Sequence, residues 1–375
     1  MGLGACAGMP APAVSTPRLS PSAHLAPVRA ESDRIFDITV CLRPFRAAGP
    51  RIEAERIGDT LIVHNYGHGG SGWSLSWGSG TLAVEMAMAD SPTEVAVLGC
   101  GALGLTAATL AQRAGAKVTI YAKDLLPQTR SSRATGSWTP DSRIALTSVA
   151  GPMFGDRWER MARISFKTYR QYLGLPGTPV EWRDSYFISD DPSGNPEPEP
   201  PGALDFAHYS DRIADIVPQS ARLSAAESPF TAPYVRRGGQ MQFNVADYGH
   251  TLLTDFLLAG GKIERREFHA PAELPTLKEK VVINCPGYAA RALWKDESIT
   301  PVRGQIGWLV PQPELDYGAI YKGIIMLSRR DGIVMQSFEG GDMRGFGDDH
   351  EVPDHAEADH AVSVMAGMYK RYWRE

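Results

Sequence analysis

Apolar residues crowd together at 95–98, where Val95-Ala96-Val97-Leu98 forms an unbroken run of the kind shown by a strand covered on both faces. The run enters Gly99-Cys100-Gly101-Ala102-Leu103-Gly104, and residues 107–113 then take up helical spacing before a second apolar run at 117–121. Strand, glycine turn, helix and strand in that order read as a βαβ unit with a dinucleotide-binding turn. Gly99 lets the chain reverse, Gly101 lets a pyrophosphate reach the backbone, and Gly104 lets the helix pack on the strand. The phosphates then rest on the helix N-terminus. An acid that binds ribose is expected about 20 residues past the motif. Asp124 stands there, preceded by Lys123.

The same patterning predicts strands at 35–42 and 60–64, the first leading into Arg43-Pro44-Phe45-Arg46, and a helix at 82–88 closed by Asp90-Ser91-Pro92. Residues 155–172 read as a helix and 190–201 as a Pro-rich loop, and the stretch between them fits a cap domain. A helix at 246–258 stops at Gly260-Gly261, followed by strands at 262–265 and 281–284. The second of these enters Cys285-Pro286-Gly287, another strand-to-helix turn. Residues 306–310, 318–327 and 332–337 read as strands of an antiparallel sheet, and 357–372 as a closing helix.

Composition changes this picture little. With 375 residues the chain can hold two domains, and a net charge of −5 with no long block of one sign gives no surface for nucleic acid. No apolar run is long enough to span a bilayer. The four cysteines, Cys6, Cys41, Cys100 and Cys285, have no metal or disulfide spacing. Residues 1–34 are rich in Ala, Pro and Ser without period and read as a flexible leader. Leu3-Gly4-Ala5-Cys6 is similar to a lipobox, though the basic and apolar regions that should precede it are missing. The chain as it stands reads as cytoplasmic; if a longer signal precedes it, it is exported and lipid-anchored.

The remaining feature is His64-Asn65-Tyr66-Gly67-His68-Gly69-Gly70-Ser71-Gly72-Trp73-Ser74, whose glycines preclude a regular strand or helix and mark close backbone approaches. Its two histidines lack a carboxylate partner, so a metal is not expected. Together with Leu42-Arg43-Pro44, Ala134-Thr135-Gly136-Ser137-Trp138-Thr139-Pro140, Asn284-Cys285-Pro286-Gly287 and Arg303-Gly304-Gln305-Ile306, this stretch resembles the D-amino-acid oxidase family of FAD-dependent amine oxidases. The resemblance covers nearly the whole chain after the leader, but in rotated order. The segments that close the family's fold come first here, which implies a circular permutation with the old ends joined through residues 89–93.

What the resemblance implies is a Rossmann-like FAD-binding domain (43–146 and 238–302) and an antiparallel-sheet substrate domain (35–42, 147–237 and 303–375). Arg43 matches the arginine that holds the substrate carboxylate, a task suited to its parallel donors. Gly70 matches the glycine whose carbonyl accepts from the substrate amine. Gly69, Gly72, Trp73 and Ser74 match the flavin pyrimidine end, and Thr129, Arg130, Ser131 and Gly136 match a loop along the cofactor. Gly99, Gly101, Ala102 and Gly104 would take the pyrophosphate, with Lys123 and Asp124 on the adenosine side. The family's active-site tyrosines have no clear match, since Met326 falls near one position; Tyr317 and Tyr321 are candidates to act from a lid. The implied activity is oxidation of D-amino acids by oxygen, in a monomer or homodimer. Glycine, sarcosine or another amine, a flavoprotein without turnover and an NAD-dependent dehydrogenase stay open.

Overall fold

Two sheets divide the work of the chain. In the computed structural model, which describes residues 25–195 and 200–374, the strands in order are β1 (Ile35–Arg46), β2 (Arg51–Ile57), β3 (Thr60–Tyr66), β4 (Glu94–Leu98), β5 (Lys117–Ala122), β6 (Val180–Ser189), β7 (Ala221–Arg222), β8 (Tyr234–Phe243), β9 (Lys262–Arg265), β10 (Val281–Asn284), β11 (Ile299–Leu309), β12 (Tyr317–Tyr321), β13 (Ile324–Arg329) and β14 (Gly332–Ser337). The α-helices are α1 (Gly72–Ala87), α2 (Ala102–Arg113), α3 (Phe154–Tyr169), α4 (Val245–Leu258), α5 (Ala290–Leu293) and α6 (His355–Tyr372). The lipobox-like Leu3-Gly4-Ala5-Cys6 lies outside the described residues.

The six-stranded sheet runs β2-β3-β10-β4-β5-β9 and is parallel except for the β2–β3 pair. Alternate residues of β4 serve opposite layers, which is why its apolar run is continuous. Val95 and Val97 pack beneath α1–α4 with Trp77, Leu105, Trp158 and Leu252. Ala96 and Leu98 pack on the other face with Leu274, Leu277 and Leu293. This is the doubly covered, Rossmann-like layer the βαβ pattern predicts. The helix α3, expected with the substrate domain (147–237), belongs to the core of this layer instead. A Cβ on Gly78 of α1 would stand 2.1 Å from the Met161 carbonyl oxygen, and the Gly78 N–H donates to Ser165 Oγ at 2.9 Å, so the two helices touch backbone to backbone.

The eight-stranded sheet runs β1-β11-β14-β13-β12-β6-β8-β7. It is antiparallel except where β12 lies parallel to β6, so the expected all-antiparallel sheet is mixed. No hairpin joins those two strands, and nothing local fixes their direction. The predicted strand 318–327 is a hairpin, β12–β13, turned at Lys322 (φ 46°) and Gly323 (φ 68°), the positive-φ pair that a two-residue connection requires. α6 covers one face of this sheet through Met365 and Met368 against Tyr317, Ala319 and Met326.

The strands also relocate the domain boundaries expected at 43, 238 and 302. β1 stays with β11 through Arg46, β8 stays with β6 through Phe243, and β11 begins at Ile299. Residues 25–34 of the expected leader belong to the fold. Val28 is buried, Tyr317 Oη donates to the Ala26 carbonyl at 2.8 Å, and Gln312 bridges the Pro27 carbonyl and the Arg29 N–H. Single contacts of this kind leave no period in a sequence. No helix among the described residues is long and apolar enough to cross a membrane.

Candidate active site

β4 ends at a turn whose shape depends on glycine. Gly99 has φ +94° and its N–H donates to the Tyr121 carbonyl at 2.8 Å; a Cβ on Gly104 would lie 2.0 Å from the Gly99 carbonyl oxygen, so α2 could not close on the strand. The N-cap of α2, Gly101, offers no capping side chain, which leaves the helix N-terminus as a source of N–H donors. This end opens on a cavity of about 400 Å3 lined by Gly99, Gly101, Ala102, Lys123, Asp124, Thr129, Arg130 and Ser131. The predicted phosphate and adenosine positions therefore converge. Gly104 supports the turn from behind.

Ser131 links this cradle to a second helix end. Its hydroxyl accepts from the Ala102 N–H at 3.0 Å, and its carbonyl accepts the Trp73 indole N–H at 2.8 Å. Trp73 opens α1, whose N-terminus also lacks a side-chain cap. α1 begins at Gly72, inside the cluster where no regular element was expected, because a 3-10 turn at Gly69–Ser71 absorbs the irregular backbone. Gly69 (φ +54°) leans on the Arg143 carbonyl, 1.9 Å from where a Cβ would stand, and Gly70 N–H donates to the Ser142 carbonyl at 3.0 Å. Ser74 Oγ accepts from the Thr139 N–H at 2.8 Å.

The α1 end borders a second cavity, about 310 Å3, whose lining includes Arg43, Gly70, Gly72, Trp73, Ser74, Arg130, Ser131 and Gly136. Ala102, Leu103, Arg130, Ser131, Gly287 and Tyr288 line both cavities, which form one elongated site. A Cβ on Gly72 or Gly287 would meet no atom within 4 Å, so the walls leave room there for a bound group. Two helix N-termini face that space, α2 where the two cavities meet and α1 within the second, and they fit the diphosphate and the electron-rich ring of FAD.

Arg43 reaches this cavity from β1. Its guanidinium lies on the bare face of Gly304, where a Cβ would come within 2.4 Å of both terminal nitrogens, and Nη1 donates to the Arg303 carbonyl at 3.3 Å. Among the described residues it has no carboxylate partner. Arg303 differs, donating to Glu357 at 3.0 Å, Gln305 at 2.9 Å and two carbonyls. Arg143 also borders the cavity, donating to the Asp342 and Gly341 carbonyls.

Tyr317 and Tyr321 do not line the cavity. Both lie on the α6 side of β12: Tyr317 Oη bonds Tyr369 Oη at 2.7 Å, and Tyr321 Oη donates to Asp190 at 2.9 Å. With a side-chain period of two, Tyr317, Ala319 and Tyr321 share the α6 side, and Ile320 turns to the cavity, as does its cross-strand partner Ile325, while Met326 faces the core. The sequence reading missed Ile320 and Ile325 because neither carries polar chemistry. It also missed Tyr288, under the Arg130 guanidinium at 5.5 Å, and Glu267, which lines the adenosine end and pairs with Lys123 at 2.8 Å.

The two loop histidines sit in different surroundings. His64 is held by Asn284 at 2.9 Å and Glu55 at 2.8 Å, and burial lowers its pKa. His68 is buried with no hydrogen-bond partner among the described residues, and desolvation pushes its pKa down to about 3, so the ring is neutral.

Comparison with known proteins agrees with this geometry. Residues 94–372 match the DAO family model, described as FAD dependent oxidoreductase. The D-amino-acid oxidase of Dictyostelium discoideum is 26% identical over 231 residues, covering 56% of this chain and 55% of that protein. The D-amino-acid oxidase of Streptomyces coelicolor is 28% identical over 214 residues, covering 57% and 58%. The chain thus spans about half the length of these curated relatives. The crystal structure of iminodiacetate oxidase from Chelativorans sp. aligns with TM-score 0.47 and 15% identity over 75% of this chain and 81% of that one. With a glycine cradle, a second helix end and a family match across most of its length, the chain belongs to the DAO family of FAD dependent oxidoreductases.

Proposed function

We propose that the protein oxidises D-amino acids, with Arg43 holding the substrate carboxylate and the Gly70 carbonyl accepting a hydrogen bond from the amine. The observation that carries this reading is Arg43 itself: a half-buried guanidinium at the cavity wall, bonded to one carbonyl and no carboxylate. Such a group is short of an anion, and a carboxylate meets its parallel donors. Substrate fixed at both ends keeps its Cα–H in one orientation, and orientation is much of what the reaction needs from the protein. FAD held along the two helix N-termini would supply the two-electron acceptor, with oxygen as the final oxidant and hydrogen peroxide as its product. The positive end of α1 favours negative charge at the adjoining part of the cavity, and Ile320 and Ile325 give another part of its wall an apolar surface. The imino acid then hydrolyses to a 2-oxo acid and ammonia.

Relatives named as D-amino-acid oxidases support the choice of substrate. The permuted order is part of the same reading: the family match begins at Glu94, while β1 and α1, which bring Arg43 and Gly72, precede it, and residues 88–93 connect α1 to β4.

An anaerobic absorbance titration with D- and L-amino acids, glycine and sarcosine tests the proposal. Bleaching of the flavin bands by D-amino acids, with recovery in air, is expected. Bleaching by glycine or sarcosine alone, or by none of them, would overturn it.

A further inference from the structure

We infer that this chain has moved the acid of its adenosine site to another strand: Glu267, beyond the end of β9, receives the ribose hydroxyls of the cofactor, and Lys123 is the positioning residue that holds it. The inference concerns the cofactor alone and does not depend on the substrate. In a Rossmann-like unit the ribose acid closes the second strand of the βαβ unit, which here is β5. The residue directly after β5 is Lys123, whose ammonium group cannot accept from a hydroxyl. β9 lies parallel to β5, with Arg265 opposite Ala122 and the Arg266 N–H donating to the Ala122 carbonyl at 3.1 Å. The two strands therefore end on the same edge of the sheet, the edge where nucleotides bind in folds of this kind.

Glu267 Oε1 accepts from Lys123 Nζ at 2.8 Å, so the carboxylate stands where a side chain from the end of β5 reaches. Both residues line the cavity that opens on the N-terminus of α2. Phe268, next in the chain, lines it too, edge-on to Tyr121 at 6.1 Å and under the Arg266 guanidinium at 4.5 Å, which gives a base an aromatic surface beside the acid. The Lys123 and Glu267 side chains are 61% and 46% exposed, and an ion pair so open to water adds little to folding. Its effect is local: the hydrogen bond from Lys123 lowers the pKa of Glu267 and fixes an ionised acceptor at the cavity wall. Asp124 lies on the same wall but has no hydrogen bond or ion pair among the described residues, so its carboxylate is not held ready for a ligand.

The test uses the full-length chain, freed of flavin and reloaded with FAD or with FMN, which lacks the adenosine; each Kd is read from quenching of flavin fluorescence. Glu267→Gln should weaken FAD about tenfold, the effect of losing charge-assisted hydrogen bonds, and leave FMN within about twofold. The melting temperature of the flavin-free variant should not move, because the ion pair is exposed. Lys123→Met keeps the carboxylate but releases it, and should weaken FAD about threefold, while Asp124→Asn should stay within about twofold of wild type. Glu267→Lys should lose the preference for FAD over FMN, and adding Lys123→Glu, which returns the acid to the end of β5, should restore most of it. An unchanged FAD Kd in Glu267→Gln, or equal losses of FAD and FMN, overturns the inference. A loss in Asp124→Asn as large as that in Glu267→Gln also overturns it and gives the ribose to Asp124. Should FMN bind too weakly to measure, the FAD Kd values of Glu267→Gln and Asp124→Asn decide between the two acids.

Discussion

The cofactor end and the substrate end of the cavity are specified in different ways. At the proposed cofactor end the backbone shapes the cavity, and the residues that matter are those whose Cβ would collide: Gly104 against the Gly99 carbonyl, Gly69 against the Arg143 carbonyl. At the substrate end the side chains matter, and which of them face the cavity is decided by strand phase in a sheet assembled from distant parts of the chain. A backbone requirement leaves a glycine at a fixed place in the sequence, whereas a strand phase leaves no local mark.

The largest effect is expected where the backbone rule is broken. Gly104→Ala places a methyl group 2.0 Å from the Gly99 carbonyl oxygen and must push α2 off the strand. The variant should purify without flavin colour and lose about 3 kcal/mol or more of stability, measured by absorbance and denaturant unfolding. A yellow, equally stable variant would remove the distinction between the two ends.

Arg43→Ala should break the substrate end alone. Loss of the charge-assisted fork should lower kcat/KM by about 100-fold, roughly 3 kcal/mol, with FAD still bound. Arg43→Lys keeps the charge without the fork and should fall between the two.

An effect of similar size, but dependent on pH, concerns the wall between the two ends. His68 is neutral in the folded protein because burial holds its pKa near 3, while the unfolded chain binds a proton near 6.5. The stabilisation is fully present above pH 6.5 and lost as pH falls toward 3, by about 1.4 kcal/mol per pH unit. Thermal unfolding from pH 7 to pH 4 should show this loss, and His68→Asn should flatten it.

The smallest effect sharpens the assignment of the tyrosines. Tyr317→Phe removes a hydroxyl bonded to Ala26 and Tyr369, and Tyr321→Phe one bonded to Asp190. Each should cost about 1 kcal/mol of stability and leave kcat/KM unchanged. A kinetic defect without a stability change would place a tyrosine in the cavity after all.

These differences also explain what the sequence made legible. The βαβ turn, the strands at Lys262–Arg265 and Val281–Asn284 and the site glycines could be read because periodicity and glycine placement are local. The glycine cluster was read too bluntly, since its last residues, Gly72, Trp73 and Ser74, already belong to α1. Tyr317 and Tyr321 were chosen for their hydroxyls, but phase turns them toward α6, and the cavity receives Ile320 and Ile325. Glu267 follows β9, far along the chain from Lys123, and only the β5–β9 pairing brings the two together.

The most direct test of the central claim is the rate of anaerobic flavin reduction by a D-amino acid as a function of its concentration, in the wild type and in Arg43→Ala. The account predicts that the wild type is reduced with saturation, and that the variant keeps its flavin spectrum but needs about 100-fold more substrate to reach the same rate. Equal concentration dependence in the two proteins would contradict the assignment of Arg43 and the reading built on it.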